Sequence, residues 1–96
     1  MRHAEGIQDV RRRVLDGPGY ADAAVRRAAF TGDDLPETLA TYVTKVINNA
    51  YKVTDSDVAA IKQMGYSENE IFEITVAAAL GAGYRRFEAG RKAMER

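Results

Sequence analysis

The chain has 96 residues, with 14 basic and 14 acidic side chains, one histidine and no cysteine. That length makes one domain with a modest core, of the size that oligomers commonly enlarge. The balanced charge sets up no strong pull towards DNA, RNA or anionic lipid, and the missing thiols exclude disulfides, thiolate catalysis and zinc–sulfur sites.

The opening residues, Met1 to Val10, contain no apolar core for a signal peptide. The longest mainly apolar run, Ile71 to Tyr84, is interrupted by Glu73 and is too short to span a bilayer. A cytoplasmic protein is the expectation. Apolar residues recur at helical spacing almost everywhere, and no segment alternates as a strand does. Ile7, Val10 and Val14 share one face of a first helix, with Arg11, Arg12 and Arg13 turned mostly outwards. Gly17-Pro18-Gly19 ends it. A short second helix runs from about Ala21 to Phe30 with an inner face of Ala24, Val25, Ala28 and Ala29. Thr31 to Asp34 reads as a loop, and Pro36 suits the first turn of the next helix.

The third helix is the clearest amphipathic one. Leu39, Tyr42, Val43, Val46, Ile47 and Ala50 fall on one face between about Glu37 and Tyr51. Thr54, with Asp57 three residues on, reads as the N-cap of a fourth helix, with Asp55 and Asp57 favoured by its positive first turn. Gly65 is its stop. Ser67 and Glu70 form a capping box that starts the fifth and longest helix. From Ile71 to Tyr84 this helix is apolar on most sides, as a central buried helix would be. Gly81 and Gly83 would each cost about 1 kcal/mol against alanine if exposed, so another backbone is expected to approach there. From Arg85 onwards the pattern is amphipathic, with Phe87, Gly90 and Met94 expected to face inwards.

These elements predict an all-α fold of about five helices in a single domain over residues 1–96, built round a long apolar C-terminal helix. Four motifs add a resemblance: Y-V-x-K-V at Tyr42 to Val46, V-T-D-x-D-V at Val53 to Val58, G-Y-S-x-x-x-I-F-E at Gly65 to Glu73, and the A-A-A-L-G-A-G-x-x-R run at Ala77 to Arg86. In this order they look like the carboxymuconolactone decarboxylase/AhpD-like superfamily. The resemblance covers residues 38–95, about Leu39 to Met94, and is to the half of longer members that follows the catalytic helix. It implies an AhpD-like helical bundle assembling as a homo-oligomer, a trimer or hexamer. Peroxidase members carry a C-x-x-C pair with a nearby histidine and an acidic residue. This chain has no cysteine, and its one histidine is His3, so no residue of that motif transfers.

Among candidate site residues, Glu73 is the best catalytic base, because a carboxyl interrupting an apolar run can have a raised pKa. The competing reading pairs it with a lysine or arginine, or leaves it facing solvent. Tyr84, with Tyr20, Tyr42, Tyr51 and Tyr66, can line a ligand pocket or serve as core and interface rings. Asn49 and Tyr51, beside Asn48, can bind a ligand or open a turn. Asp55 with Asp57, and Glu68 with Glu70, read as first-turn helix acids rather than metal ligands, and no metal or cofactor is expected. Arg11 to Arg13 and Arg26-Arg27 are diluted by Asp9, Asp16 and Asp22, so a solvated face is expected rather than a nucleic-acid site. Ala78, Gly81 and Gly83 form a close-contact surface within the chain or between subunits. The functional expectation is a non-enzymatic structural or interaction subunit with a homo-oligomeric or helical protein partner. The alternatives are a cysteine-independent acid–base enzyme or small-molecule binder near Glu73 and Tyr84, and one half of a split peroxidase-like enzyme.

Overall fold

A computed structural model of the chain describes residues 11–95. Among them it is all-helical, with five helices and no strand. Helix α1 covers described residues 11–16. Helix α2 spans Ala23–Thr31, α3 Glu37–Asn49, α4 Asp55–Gln63 and α5 Glu68–Met94, with a 3-10 turn at Ala50–Lys52. His3, Ile7 and Val10 lie outside the described residues.

Both expected caps form. Thr54 accepts from the Asp57 N–H while the Asp57 carboxylate accepts from the Thr54 N–H, and Ser67 and Glu70 repeat the arrangement at the start of α5. Each box satisfies two amides that have no partner inside the helix, worth about 1 kcal/mol per cap. Gly65, at φ 101°, takes the left-handed conformation that ends α4. Helix α3 leaves helical geometry at Asn49 (φ −150°, ψ 57°), so Tyr51 belongs to the 3-10 turn rather than to the helix.

The core sits between α5 and the two helices packed on it. Leu39, Tyr42 and Val43 of α3, Ala29 and Phe30 of α2, Ile61 of α4 and Ile71, Ile74, Ala77 and Ala78 of α5 are all buried. Helix α2 makes the most intimate contact. A methyl group at Gly81 would stand 1.9 Å from the Phe30 carbonyl oxygen. The close approach expected at Gly81 is therefore made by α2 of the same chain. At Gly83 a methyl would meet nothing within 4 Å.

Three expectations for helix faces fail. On α2, Ala24 is exposed and Arg26 is buried, at 6 % exposure. Its Nη1 donates to the Val14 carbonyl at 2.8 Å, tying α2 to the end of α1. Arg11, expected outside, is half-buried with its guanidinium carbon 5.2 Å from the Phe30 ring centre and 5.3 Å from that of Tyr84. On α5, Phe87, Gly90 and Met94 are exposed, not inward. Among the described residues, the last side-chain hydrogen bonds from α5 to another helix are those of Arg85 to the Phe30 carbonyl (2.6 Å) and Arg86 to the Ile47 carbonyl (3.2 Å). Beyond them no described side chain of α5 is buried.

Candidate functional site

Glu73 lies on the flank of α5 facing the loop between α1 and α2. Its carboxylate accepts from the Tyr20 N–H at 2.7 Å and from the Ala21 N–H at 2.9 Å. Those amides precede the first turn of α2 and have no carbonyl of their own helix to bond. Burial pushes this carboxyl up and is the largest single influence. The two amide donors and the nearby Arg26 charge together outweigh it and hold Glu73 below the ordinary glutamate range. The raised pKa expected from its apolar neighbours is thus reversed. An anionic carboxylate with both oxygens engaged is a weak proton acceptor and a good latch. Gly19 is part of the latch, because a methyl there would stand 2.6 Å from Glu73 Oε1.

A shallow cavity of about 150 Å³ beside the latch is lined by Arg13, Val14, Pro18, Arg26, Phe72, Glu73 and Val76. Tyr84 is not among these residues. Eleven positions along the helix put it roughly 16 Å from Glu73 at 1.5 Å per residue. Tyr84 instead packs its ring 5.9 Å from that of Phe30, tilted by 47°. Glu73 and Tyr84 therefore do not share a pocket. Tyr51 is exposed on the 3-10 turn, its hydroxyl 3.4 Å from Asn49 Oδ1. Ala78 and Gly81 are both buried within the chain, whereas Gly83 is open. No cluster of three or more potential metal ligands occurs among the described residues, and none of the helices described is long and apolar enough to cross a membrane.

Two polar contacts were not anticipated from the sequence. The Thr75 hydroxyl donates to the Ile71 carbonyl at 2.7 Å, so the Tyr42 hydroxyl, 2.7 Å away, donates to Thr75 and closes α3 onto α5. Lys45 holds both Asp57 oxygens at 2.9 and 3.0 Å. With the Thr54 amide, it keeps that carboxyl below its ordinary range. Helical periodicity places Tyr42 and Lys45 on α3 but gives no register against α4 or α5. Arg26 had no signal at all, since its neighbour Arg27 makes the pair look solvated.

The face of α5 opposite the core carries another kind of feature. Phe72, Val76, Ala79, Gly83, Phe87, Gly90 and Met94 follow one another in steps of four, three and four residues, then four, three and four again. At 100° per residue all seven lie within about 40° of a single line along the helix. Phe72 is 68 % exposed, Phe87 42 % and Met94 86 %. A helix whose inner and outer faces are both apolar explains why the sequence reads as apolar on most sides. No protein-family model, curated protein or solved structure matches this chain, which leaves the superfamily resemblance resting on its sequence motifs.

Proposed function

We propose that this protein is a non-catalytic interaction subunit, a small helical scaffold that binds a protein partner through the outer face of α5. The observation carrying this reading is the unbroken apolar line from Phe72 to Met94. Exposed apolar patches of this length mark contact surfaces on soluble domains. The state of Glu73 supports the same reading, because the best-placed carboxylate serves as a structural latch. On this view the superfamily resemblance is that of a scaffold used without its thiols, and the homo-oligomer, trimer or hexamer, is one way of using the surface.

The test is the native mass of the purified protein by light scattering, with intact-mass analysis of any companion. The triple variant Phe72→Ser/Phe87→Ser/Met94→Ser is measured beside it. The reading expects an assembly, with itself or with a second polypeptide, that the triple variant loses. A monomer at every concentration, with no companion and no difference from the variant, refutes it.

A further inference from the structure

We infer that the outer face of α5 pairs with the same face of a second copy, antiparallel, with the two-fold axis at Gly83. This rests on the interaction-subunit reading and gives it a geometry. The argument begins with the size of each residue along the line. If two copies run antiparallel about Gly83, Phe72 comes opposite Met94, Val76 opposite Gly90, Ala79 opposite Phe87, and Gly83 opposite itself. At the three inner steps a bulky side chain meets a small one or two glycines meet. The two ends pair flexible Met94 with the Phe72 ring, a contact that thioethers make well. A parallel pair would oppose Phe72 to Phe72 and Phe87 to Phe87. It would also set Gly90 against Gly90 and leave a gap there, which close packing disfavours, whereas Gly83 faces itself in either direction. Antiparallel helices also oppose their dipoles favourably.

The flanks are held by contacts within each copy and leave the line clear. On one side Arg91 bonds Glu88 and Glu95 of its own helix, and Glu73 holds the Tyr20 and Ala21 amides. On the opposite side Arg86 is folded back onto the Ile47 carbonyl. The line is open along its centre: at Gly83 and at Gly90 an added methyl would meet nothing within 4 Å.

The area sets the strength. From the exposures of Phe72, Phe87 and Met94, and ~200 Å² for a large side chain, these three offer roughly 400 Å² per copy. Val76 and Ala79 add to that, but the total over both copies, roughly 800–1,000 Å², falls below stable specific interfaces and in the range of weak, transient ones. The pair is therefore a weak, concentration-dependent dimer. Two-fold pairing also fits inside a hexamer, whereas a simple three-fold ring has no place for it.

The absence of native cysteine makes the register directly testable. Single-cysteine variants Gly83→Cys, Ala79→Cys and Thr44→Cys are exposed to oxidised glutathione at concentrations where the wild type self-associates, and disulfide dimer is followed on non-reducing gels. Thr44 is exposed on α3, away from the line. Gly83→Cys should cross-link at least tenfold faster than either control, because only residue 83 faces itself within disulfide reach. Ala79→Cys mixed with Phe87→Cys should give a heterodimer in preference to either homodimer. Because a side chain at residue 83 also crowds the crossing, the mixture decides: no preference for the Ala79→Cys/Phe87→Cys heterodimer overturns the inference, as does fastest self-cross-linking by Ala79→Cys. If either occurs while the wild-type assembly still depends on Phe72, Phe87 and Met94, the interaction reading stands and this register falls. A wild type that is monomeric up to millimolar concentration also overturns the pairing. A companion polypeptide would then leave the broader reading in place.

Discussion

Replacing Gly81 with alanine is the sharpest check on the packing of α2 against α5. In an exposed helix the change would stabilise by about 1 kcal/mol, since alanine is the better helix former. Here the new methyl would lie 1.9 Å from the Phe30 carbonyl oxygen and 2.8 Å from its carbon. The obstacle is backbone, so no rotamer relieves it and α2 must move outwards. Overpacking of this kind costs about 1–3 kcal/mol. The same shift stretches the 2.6 Å hydrogen bond from Arg85 to the Phe30 carbonyl, a contact worth about 1 kcal/mol or somewhat more because the donor is charged. Set against the helix-propensity gain, the net loss is about 2 kcal/mol, or roughly 8–16 °C in melting temperature for a domain of this size. Gly83→Ala, two residues away with nothing near its methyl, should raise the stability of the monomer by about 0.5–1 kcal/mol. Thermal and urea unfolding followed by circular dichroism in dilute solution would measure both. If Gly81→Ala is neutral, or stabilises as Gly83→Ala does, the close approach of α2 to α5 is wrong.

Tyr42→Phe removes the donor to Thr75 and should cost about 1 kcal/mol by urea denaturation, since the hydroxyl left behind is part-buried. Ser67→Ala opens the capping box of α5 and should cost about 1 kcal/mol on the same assay. Glu73→Gln places an amide NH₂ against one of two N–H donors and should destabilise at neutral pH. Because the folded pKa of Glu73 is held below 4.5, its contribution is present above that value. It is lost as pH falls through the folded pKa. The variant should therefore lose less stability than the wild type between pH 5 and pH 3, and an identical acid limb would contradict the latch. Arg26→Met removes a charge that helps keep Glu73 ionised, so the folded pKa of Glu73 should rise towards its unfolded value and the acid limb should become shallower than that of the wild type.

What was legible in the sequence was local. Thr54 with Asp57, and Ser67 with Glu70, are contacts across three residues, and each formed as expected. The amphipathic face of α3 was also legible, because one half of that helix is polar and the burial of Leu39, Tyr42 and Val43 follows from it. Glu73 departs from its sequence context for a definite reason. Its neighbours in sequence are apolar and argue for a neutral carboxyl, whereas the amides that hold its charge come from Tyr20 and Ala21. Arg26 departs in the same way, since the carbonyl that admits it to the interior belongs to Val14 in another helix. For α5, periodicity gave the angular positions correctly but not which apolar face the rest of the chain covers. Phe87 and Met94 read as an inner face because a lone sequence contains no second partner for them.

The glycines of the outer face give that last point an energetic form. Gly83 and Gly90 are helical and exposed, with no neighbour within 4 Å of an added methyl among the described residues, so together they weaken the isolated α5 by about 2 kcal/mol relative to alanine. That is a large fraction of the 5–15 kcal/mol by which a domain is stable, and nothing among the described residues offsets it. Gly81 carries the same intrinsic cost, but there the close approach of Phe30 returns it as packing. If a second α5 crosses at Gly83, the same exchange occurs on the outer face. Alanine at residues 83 and 90 should then strengthen the monomer while weakening the pair. Opposite signs for folding and for assembly from one substitution would separate a contact surface from an accidental run of apolar residues. Equal gains in both would mean that no backbone comes close there.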